Sequence, residues 1–161
     1  MDNFNKEVLG FIEAANKYQL KMILVGGSAV NYYGYKRHSA DVDFWIKISD
    51  DNLSSLKKVL NDIGYKVDEL PDPVKNKEQN ISLKISPELE IELLTSFNPG
   101  KSFDQAFQES ELYQIEGKLL LRWNIISIED LISSKISTGR IKDKNDIEVL
   151  QEILRLRKNN S

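Results

Sequence analysis

Hydrophobic residues recur along the chain at two spacings, and each spacing predicts one type of secondary structure. Apolar positions at helical spacing predict amphipathic helices over residues 3–19, 51–63, 128–138 and 142–157, with short helices at 28–33 and 103–109. Short apolar runs rich in β-branched and aromatic residues predict strands at 21–25, 42–48, 65–67, 81–85 and 89–94, and a hairpin formed by 112–115 and 118–122. This order indicates an α+β fold, in which a mixed β-sheet is flanked by helices and followed by a C-terminal helical pair.

Residues at the segment boundaries support these limits. Asp50 is placed to cap the helix that follows it, and Gly64 to end that helix. Ser127 begins the sequence Ser-Ile-Glu-Asp, which resembles an N-terminal capping sequence. The segment Pro71–Asn80 combines prolines with polar residues and is therefore predicted to be a loop.

Composition narrows the class of protein. A chain of 161 residues can form one ordinary domain, and we predict a core over 1–126 with an extension over 127–161 packed on it as one compact unit. The absence of cysteine excludes disulfides and thiolate metal sites, and the single histidine, His38, excludes a multi-histidine zinc site. The chain has no apolar run of about 18 residues and no signal-like N-terminus, so we expect a cytoplasmic location without membrane contact.

The strongest candidate chemistry lies in one strand–turn–helix–strand segment. The apolar run 22–25 is followed by Gly26-Gly27-Ser28, and Asp41-Val42-Asp43 lies on the next predicted strand. Alternate residues of a strand share a face, so the two carboxylates lie side by side, where a hard divalent cation would relieve their repulsion. A double-glycine turn lets backbone N–H groups approach an anion closely. A phosphate site beside a metal site indicates chemistry on a nucleoside triphosphate (NTP).

These motifs resemble the glycine-serine and paired-acid motifs of the nucleotidyltransferase superfamily related to DNA polymerase β. The sequence Ile-Glu-Leu-Leu-Thr at 91–95 lies on a later strand, where that superfamily places its third acid. The tail from Leu131 to Asp146 is similar to small bacterial nucleotidyltransferase-like proteins, including relatives of the toxin of type IV abortive-infection systems. The resemblance covers about residues 20–150 and implies a polymerase β-like nucleotidyltransferase core.

The resemblance also implies a catalytic role for three acids. Asp41, Asp43 and Glu92 would hold two Mg²⁺ ions, and Glu92 would also act as general base on the acceptor hydroxyl. Many members of the superfamily have aspartate at the third position, and the extra methylene of glutamate can displace the carboxylate by about an ångström, which can cost about 100-fold in rate. Glu90 faces the same way as Glu92 but is interpreted as a surface charge, because Leu93-Leu94-Thr95 follows Glu92 as in the small bacterial relatives.

Five further residues are assigned to the nucleotide, Arg37 from its position just before the acidic strand and the other four by the same resemblance. Gly26, Gly27 and Ser28 would bind the β- and γ-phosphates of an NTP such as ATP through backbone N–H groups and the serine hydroxyl. Arg37 would bind a phosphate, or else neutralise the paired aspartates when no metal is present. Lys135 would lie near the nucleotide, and its alternative role is an ion pair with the acids around 143–146.

Two classes of function remain open from the sequence. The first is a Mg²⁺-dependent nucleotidyltransferase that moves a nucleoside monophosphate from an NTP to a hydroxyl of tRNA, a protein or a small molecule. The second is a non-catalytic nucleotide-binding or regulatory module. Family analogy adds the possibility of a partner protein in a toxin–antitoxin pair, although fold analogy does not specify a biological role.

Overall fold

The computed structural model describes residues 4–36 and 41–160, and it has the predicted α+β fold. Its longer helices are α1 (Lys6–Lys17), α3 (Asp50–Asp62), α6 (Ile128–Thr138) and α7 (Lys144–Asn159), and its shorter ones are α2 (Gly26–Tyr32), α4 (Asp72–Lys75) and α5 (Phe103–Glu109). The strands are β1 (Met22–Val25), β2 (Asp41–Ile46), β3 (Ile81–Ser86), β4 (Leu89–Leu94), β5 (Glu111–Gln114) and β6 (Arg122–Ile125).

The six strands form one mixed sheet in the order β3-β4-β2-β1-β6-β5. β1 pairs antiparallel with β2 and parallel with β6, while β2 pairs parallel with β4. β3 and β5 are the edge strands, each paired antiparallel with its neighbour. The parallel pair of β2 and β4 brings the carboxylate-bearing strands side by side, and the antiparallel pair of β1 and β2 places the end of β1, where the glycine turn begins, next to them.

The centre of the sheet is the most deeply buried part of the fold. All four residues of β1 are buried, which explains its continuous apolar run, because a central strand is covered on both faces. Helix α1 packs near α3 and buries Phe11 and Ile12, and α3 buries Leu56 and Val59. Ile91 and Leu93 of β4 are fully buried. The acidic residues of β2 and β4 therefore lie on a rigid framework.

A buried asparagine connects α3 to the sheet. The side chain of Asn52 accepts a hydrogen bond from the backbone N–H of Lys21 at 2.8 Å and donates to the carbonyls of Lys21 at 3.0 Å and Lys47 at 2.7 Å. Lys21 immediately precedes β1 and Lys47 immediately follows β2. One side chain thus joins the start of β1 to the end of β2 and supports the register between them.

The structure differs from the sequence prediction at both ends of α3. Ser49, not Asp50, caps the helix, because its hydroxyl accepts the hydrogen bond of the Asn52 N–H while Asp50 is the first helical residue. Residues 65–67 do not form the predicted strand. The side chain of Asn61 binds both the N–H and the carbonyl of Val67, at 3.1 and 2.9 Å, and so replaces the partners that a strand would need.

Three further segments differ from their predicted form. The predicted loop over 71–80 contains the short helix α4, which buries Val74. The second strand of the C-terminal hairpin lies at 122–125 rather than 118–122, because the buried residues of β6 pair with the central strand β1. The last helix begins at Lys144, after a 3₁₀ turn over Ile141–Asp143. Within 4–36 and 41–160, no helix is long and apolar enough to span a membrane.

Candidate active site

The site is built on a row of residues that crosses four strands of the sheet. Ser82 of β3 lies opposite Glu92 of β4, Glu92 opposite Asp43 of β2, and Asp43 opposite Val25 of β1. Gly26 follows Val25 directly. Neighbouring strands lie about 4.8 Å apart, so side chains on one face of this row are close enough to interact. The register brings together the glycine turn and two of the three acids predicted from the sequence.

The carboxylate of Asp43 packs against the backbone of the glycine turn. A Cβ atom on Gly26 would overlap Oδ2 of Asp43 and would lie 3.2 Å from its Cγ. Gly26 also has a φ of +69°, a conformation that L-residues with side chains rarely adopt. Ser28, two residues later, is buried. Glycine is therefore required at position 26 both by the backbone conformation and by the approach of Asp43.

Three negative groups crowd this part of the sheet. Burial raises the pKa of Asp43 to about 6, with further contributions from the charges of Asp41 and Glu92, while the charge of Lys135 opposes the shift. Asp41 lies one row further along β2, opposite Glu90. The electrostatic potential at Asp43 thus favours any cation that can reach it.

Glu92 has a neutral partner on the edge strand. Oε2 of Glu92 accepts a hydrogen bond from the Ser82 hydroxyl at 2.5 Å. Glu90 occupies the neighbouring row, opposite Lys84 of β3 and Asp41 of β2, and both it and Glu92 are half-buried. Since Asp43 pairs with Glu92 and not with Glu90, the register places Glu92 rather than Glu90 beside Asp43.

Lys135 contributes the buried positive charge of this region. Its Nζ lies 3.0 Å from Oδ2 of Asp146 and 3.3 Å from Oδ1 of Asp143, and all three side chains are buried. Lys135 thus forms the ion pairs considered from the sequence, and its predicted place near the nucleotide stays a prediction. Because Lys135 also lowers the pKa of Asp43, it lies close enough to influence the acidic row.

Asp143, one of the two acids that Lys135 contacts, accepts hydrogen bonds from further donors. Burial alone would raise the pKa of Asp143, but hydrogen bonds from Thr138 and Arg140 and the charge of Lys135 outweigh it and lower the pKa below its ordinary value. The network joins α6, the 3₁₀ turn and α7. The ammonium group is thus fixed by elements outside the sheet.

The acidic groups suit a hard cation in their chemistry. Carboxylate oxygens are the ligands that Mg²⁺ prefers, and Asp41, Asp43 and Glu92 supply them from two adjacent strands. Within the part of the chain that the structure describes, however, no three acidic or histidine side chains are arranged so that they could hold a metal ion. Of the two oxygens of Glu92, Oε2 accepts the hydrogen bond of the Ser82 hydroxyl.

One candidate residue lies outside the residues that the structure describes, and one residue of the acidic row was not identified from the sequence. Arg37 and His38 fall outside the described residues, so the predicted phosphate contact of Arg37 remains a prediction. Ser82 was missed from the sequence, because only the strand register shows that it faces Glu92.

Comparison with known proteins identifies the family of the chain. A family model described as "Nucleotidyltransferase of unknown function (DUF6036)" matches residues 5–156, which is nearly the whole sequence. A search of curated proteins gives no match. The matched span includes the glycine turn, the acidic row and the Lys135 network.

Proposed function

We propose that this chain, which belongs to the family of nucleotidyltransferases of unknown function, is a Mg²⁺-dependent enzyme that moves a nucleoside monophosphate from an NTP to an acceptor hydroxyl. The family supports nucleotidyl transfer in general terms. The metal, the NTP and the hydroxyl acceptor are our proposal. The acceptor class (tRNA, a protein or a small molecule) is left open, because no acceptor-binding surface is distinguished by the described residues.

The contact between Asp43 and the glycine turn is the observation that carries this proposal. It brings the backbone of Gly26 against a carboxylate whose pKa is raised to about 6 by burial, by Asp41 and by Glu92. Acids crowded beside a glycine backbone repel one another, whereas a phosphate–metal site uses both the acids and the backbone N–H groups. Raised carboxylate pKa values of this kind are typical of functional sites.

Each residue has a distinct role in the proposed reaction. Asp41, Asp43 and Glu92 would hold Mg²⁺, which supplies charge neutralisation at the phosphates when bound. The backbone N–H groups of Gly27 and Ser28 would orient the terminal phosphates. Glu92 would take the proton of the acceptor hydroxyl as that oxygen attacks the α-phosphorus, and pyrophosphate would leave. Lys135, held by two buried aspartates, would lie near the nucleotide on the side of α6.

Nucleotide binding with and without Mg²⁺ tests this function. We expect the wild type to bind an NTP measurably in Mg²⁺ and much more weakly in EDTA, as measured by equilibrium dialysis. Asp43→Asn should lose the Mg²⁺-dependent part of the binding while remaining folded. Glu88→Gln, which removes one negative charge from the exposed β3–β4 turn, is the matched control and should bind as the wild type does. Equal affinity in Mg²⁺ and EDTA would overturn the proposal.

A non-catalytic nucleotide-binding module is the second candidate. It is favoured by the absence, among the described residues, of three acidic or histidine side chains arranged to hold a metal ion. The two functions differ in turnover. If the wild type releases pyrophosphate from an NTP and Asp43→Asn does not, the non-catalytic module is excluded. If the wild type binds an NTP in a Mg²⁺-dependent way but releases no pyrophosphate with RNA, protein or small-molecule acceptors present, the module is favoured.

A further inference from the structure

Ser82 lies at the end of the acidic row and its side chain is exposed. Its Oγ donates a hydrogen bond of 2.5 Å to Oε2 of Glu92. Ser82 is in register with Glu92, and Glu92 is in register with Asp43. The hydroxyl is therefore two strands away from Asp43, about 10 Å across the sheet at the usual strand spacing. An exposed hydroxyl contacts the acid that we propose as general base.

The direction of this hydrogen bond suits a nucleophile. A hydroxyl has one hydrogen and two lone pairs, so donation to Glu92 leaves the lone pairs of Oγ directed away from that carboxylate. A carboxylate that accepts the hydrogen bond of a hydroxyl is placed to take its proton when the oxygen attacks. By contrast, Thr95, just after β4, is buried and its hydroxyl donates to the carbonyl of Gln79 at 3.0 Å.

We propose that Ser82 is a self-modification site, to which the chain transfers a nucleoside monophosphate from a bound NTP. This inference rests on the proposed function. Oγ of Ser82 forms a bond to the α-phosphorus, and the bond from that phosphorus to the oxygen bridging it to the β-phosphate breaks. Pyrophosphate leaves with that oxygen, and the hydroxyl proton passes to the Glu92 carboxylate. The product is a phosphodiester on Ser82.

The modification would limit its own extent. The phosphodiester places a new negative charge beside Glu92, in a region where acidic groups already raise the pKa of Asp43. A second NTP would meet both this charge and the bulk of the attached nucleotide. We therefore expect one nucleotide per chain and weaker NTP binding by the modified protein. Because Ser82 and Glu92 belong to one chain, the fraction modified per unit time should not change on dilution of the protein.

Intact-mass measurement and peptide mapping test the proposal directly. The full chain is incubated with Mg²⁺ and each common NTP in turn, and NTP binding is measured in parallel by equilibrium dialysis. The expected result is a mass gain of one nucleoside monophosphate, located at Ser82. Ser82→Ala should bind NTP and gain no mass. Ser86→Ala, which removes a hydroxyl from the same strand opposite Leu89, is the matched control and should be modified like the wild type.

The outcomes separate this inference from the proposed function. Mg²⁺-dependent NTP binding without an adduct on the wild type overturns self-modification and leaves the proposed function in place. An adduct that persists in Ser82→Ala, or whose rate falls on dilution, also overturns it. Absence of Mg²⁺-dependent NTP binding overturns the proposed function and the self-modification together.

Discussion

The carboxylate of Asp43 fills the space that a Cβ atom on Gly26 would need. Asp43 lies on β2 opposite Val25, the last residue of β1, and Gly26 follows Val25 as the first residue of α2. A methyl group at position 26 would have to displace either the carboxylate or the turn. The contact therefore couples the backbone at Gly26 to the acid that we propose as a metal ligand.

Gly26→Ala should destabilise the protein by about 2–4 kcal/mol, which combines the cost of a left-handed conformation with that of overpacking. The φ of +69° at Gly26 and the overlap with Asp43 both contribute. Urea denaturation, followed by circular dichroism, measures the change. NTP binding should also be lost, because the displaced carboxylate or turn no longer matches the ligand.

Gly10→Ala is the matched control for this substitution. Gly10 lies in the interior of α1, and a Cβ there meets nothing within 4 Å. Alanine should stabilise the protein by about 0.5–1 kcal/mol, because it lowers the conformational entropy of the unfolded chain and favours the helix. If Gly26→Ala and Gly10→Ala changed stability in the same direction, the Gly26–Asp43 contact would be refuted.

Asp43→Asn should stabilise the protein at neutral pH in the absence of divalent cations. Burial and neighbouring acids raise the pKa of Asp43 to about 6 in the folded state, above the ordinary value of 3.8. The folded state therefore binds more protons at this carboxyl between these values, so the contribution of Asp43 to wild-type stability falls as pH rises from about 4 to 6. The free energy of unfolding of Asp43→Asn should therefore exceed that of the wild type by about 3 kcal/mol. This gain should be fully present above pH 6 and absent below about pH 4.

Chemical denaturation of both proteins in EDTA, at several pH values from 4 to 8, measures this difference. Glu88→Gln in the exposed turn controls for loss of a negative charge and should show little pH-dependent difference from the wild type. A stability difference between Asp43→Asn and the wild type that did not change with pH would contradict the raised pKa of Asp43.

Lys135→Met should destabilise the fold by about 3–5 kcal/mol, because it leaves two buried carboxylates without their shared cation. The ammonium group contacts Asp143 and Asp146 at 3.3 and 3.0 Å. Thermal unfolding measures the effect, and Lys142→Met, at an exposed position of the 3₁₀ turn, is the control that should change little. Wild-type stability in Lys135→Met, with only NTP affinity reduced, would show that Lys135 serves the ligand and not the fold.

Helices and strands could be predicted from the sequence where a segment has hydrophobic residues at regular spacing and residues that mark its ends. Gly64, for example, ends α3 in the left-handed region as predicted, with a φ of +108°. Segment 65–67 was assigned wrongly, because β-forming residues cannot pair where the side chain of Asn61 already binds Val67. A contact between one side chain and a distant backbone leaves no periodic signal in the sequence.

In the candidate site, too, local features could be predicted from the sequence and contacts between strands could not. Asp41 and Asp43 could be paired from alternation along one strand, which is a local property. The contact of Glu92 with Ser82 depends on the register between β3 and β4, and the contact of Asp43 with Gly26 depends on the register between β1 and β2. Register is set by packing across the whole sheet, so single-strand patterns predict the residues of the site but not their partners.

Asn52→Asp should lower the stability of the protein by about 2–4 kcal/mol, because it replaces an amide donor with an acceptor at a buried site. The Nδ2 group of Asn52 donates to the carbonyls of Lys21 and Lys47, and a carboxylate of the same shape would face both of them without a hydrogen. The Oδ1 contact to the Lys21 N–H would survive. The loss should shrink toward about pH 4, where protonation of the introduced carboxyl restores one donor.

Urea denaturation at pH 4 and 7 measures both effects. The control is Asn76→Asp, at an exposed position after α4, which should leave stability nearly unchanged. Equal stability of Asn52→Asp and the wild type at pH 7 would show that this side chain does not hold β1 and β2 in register.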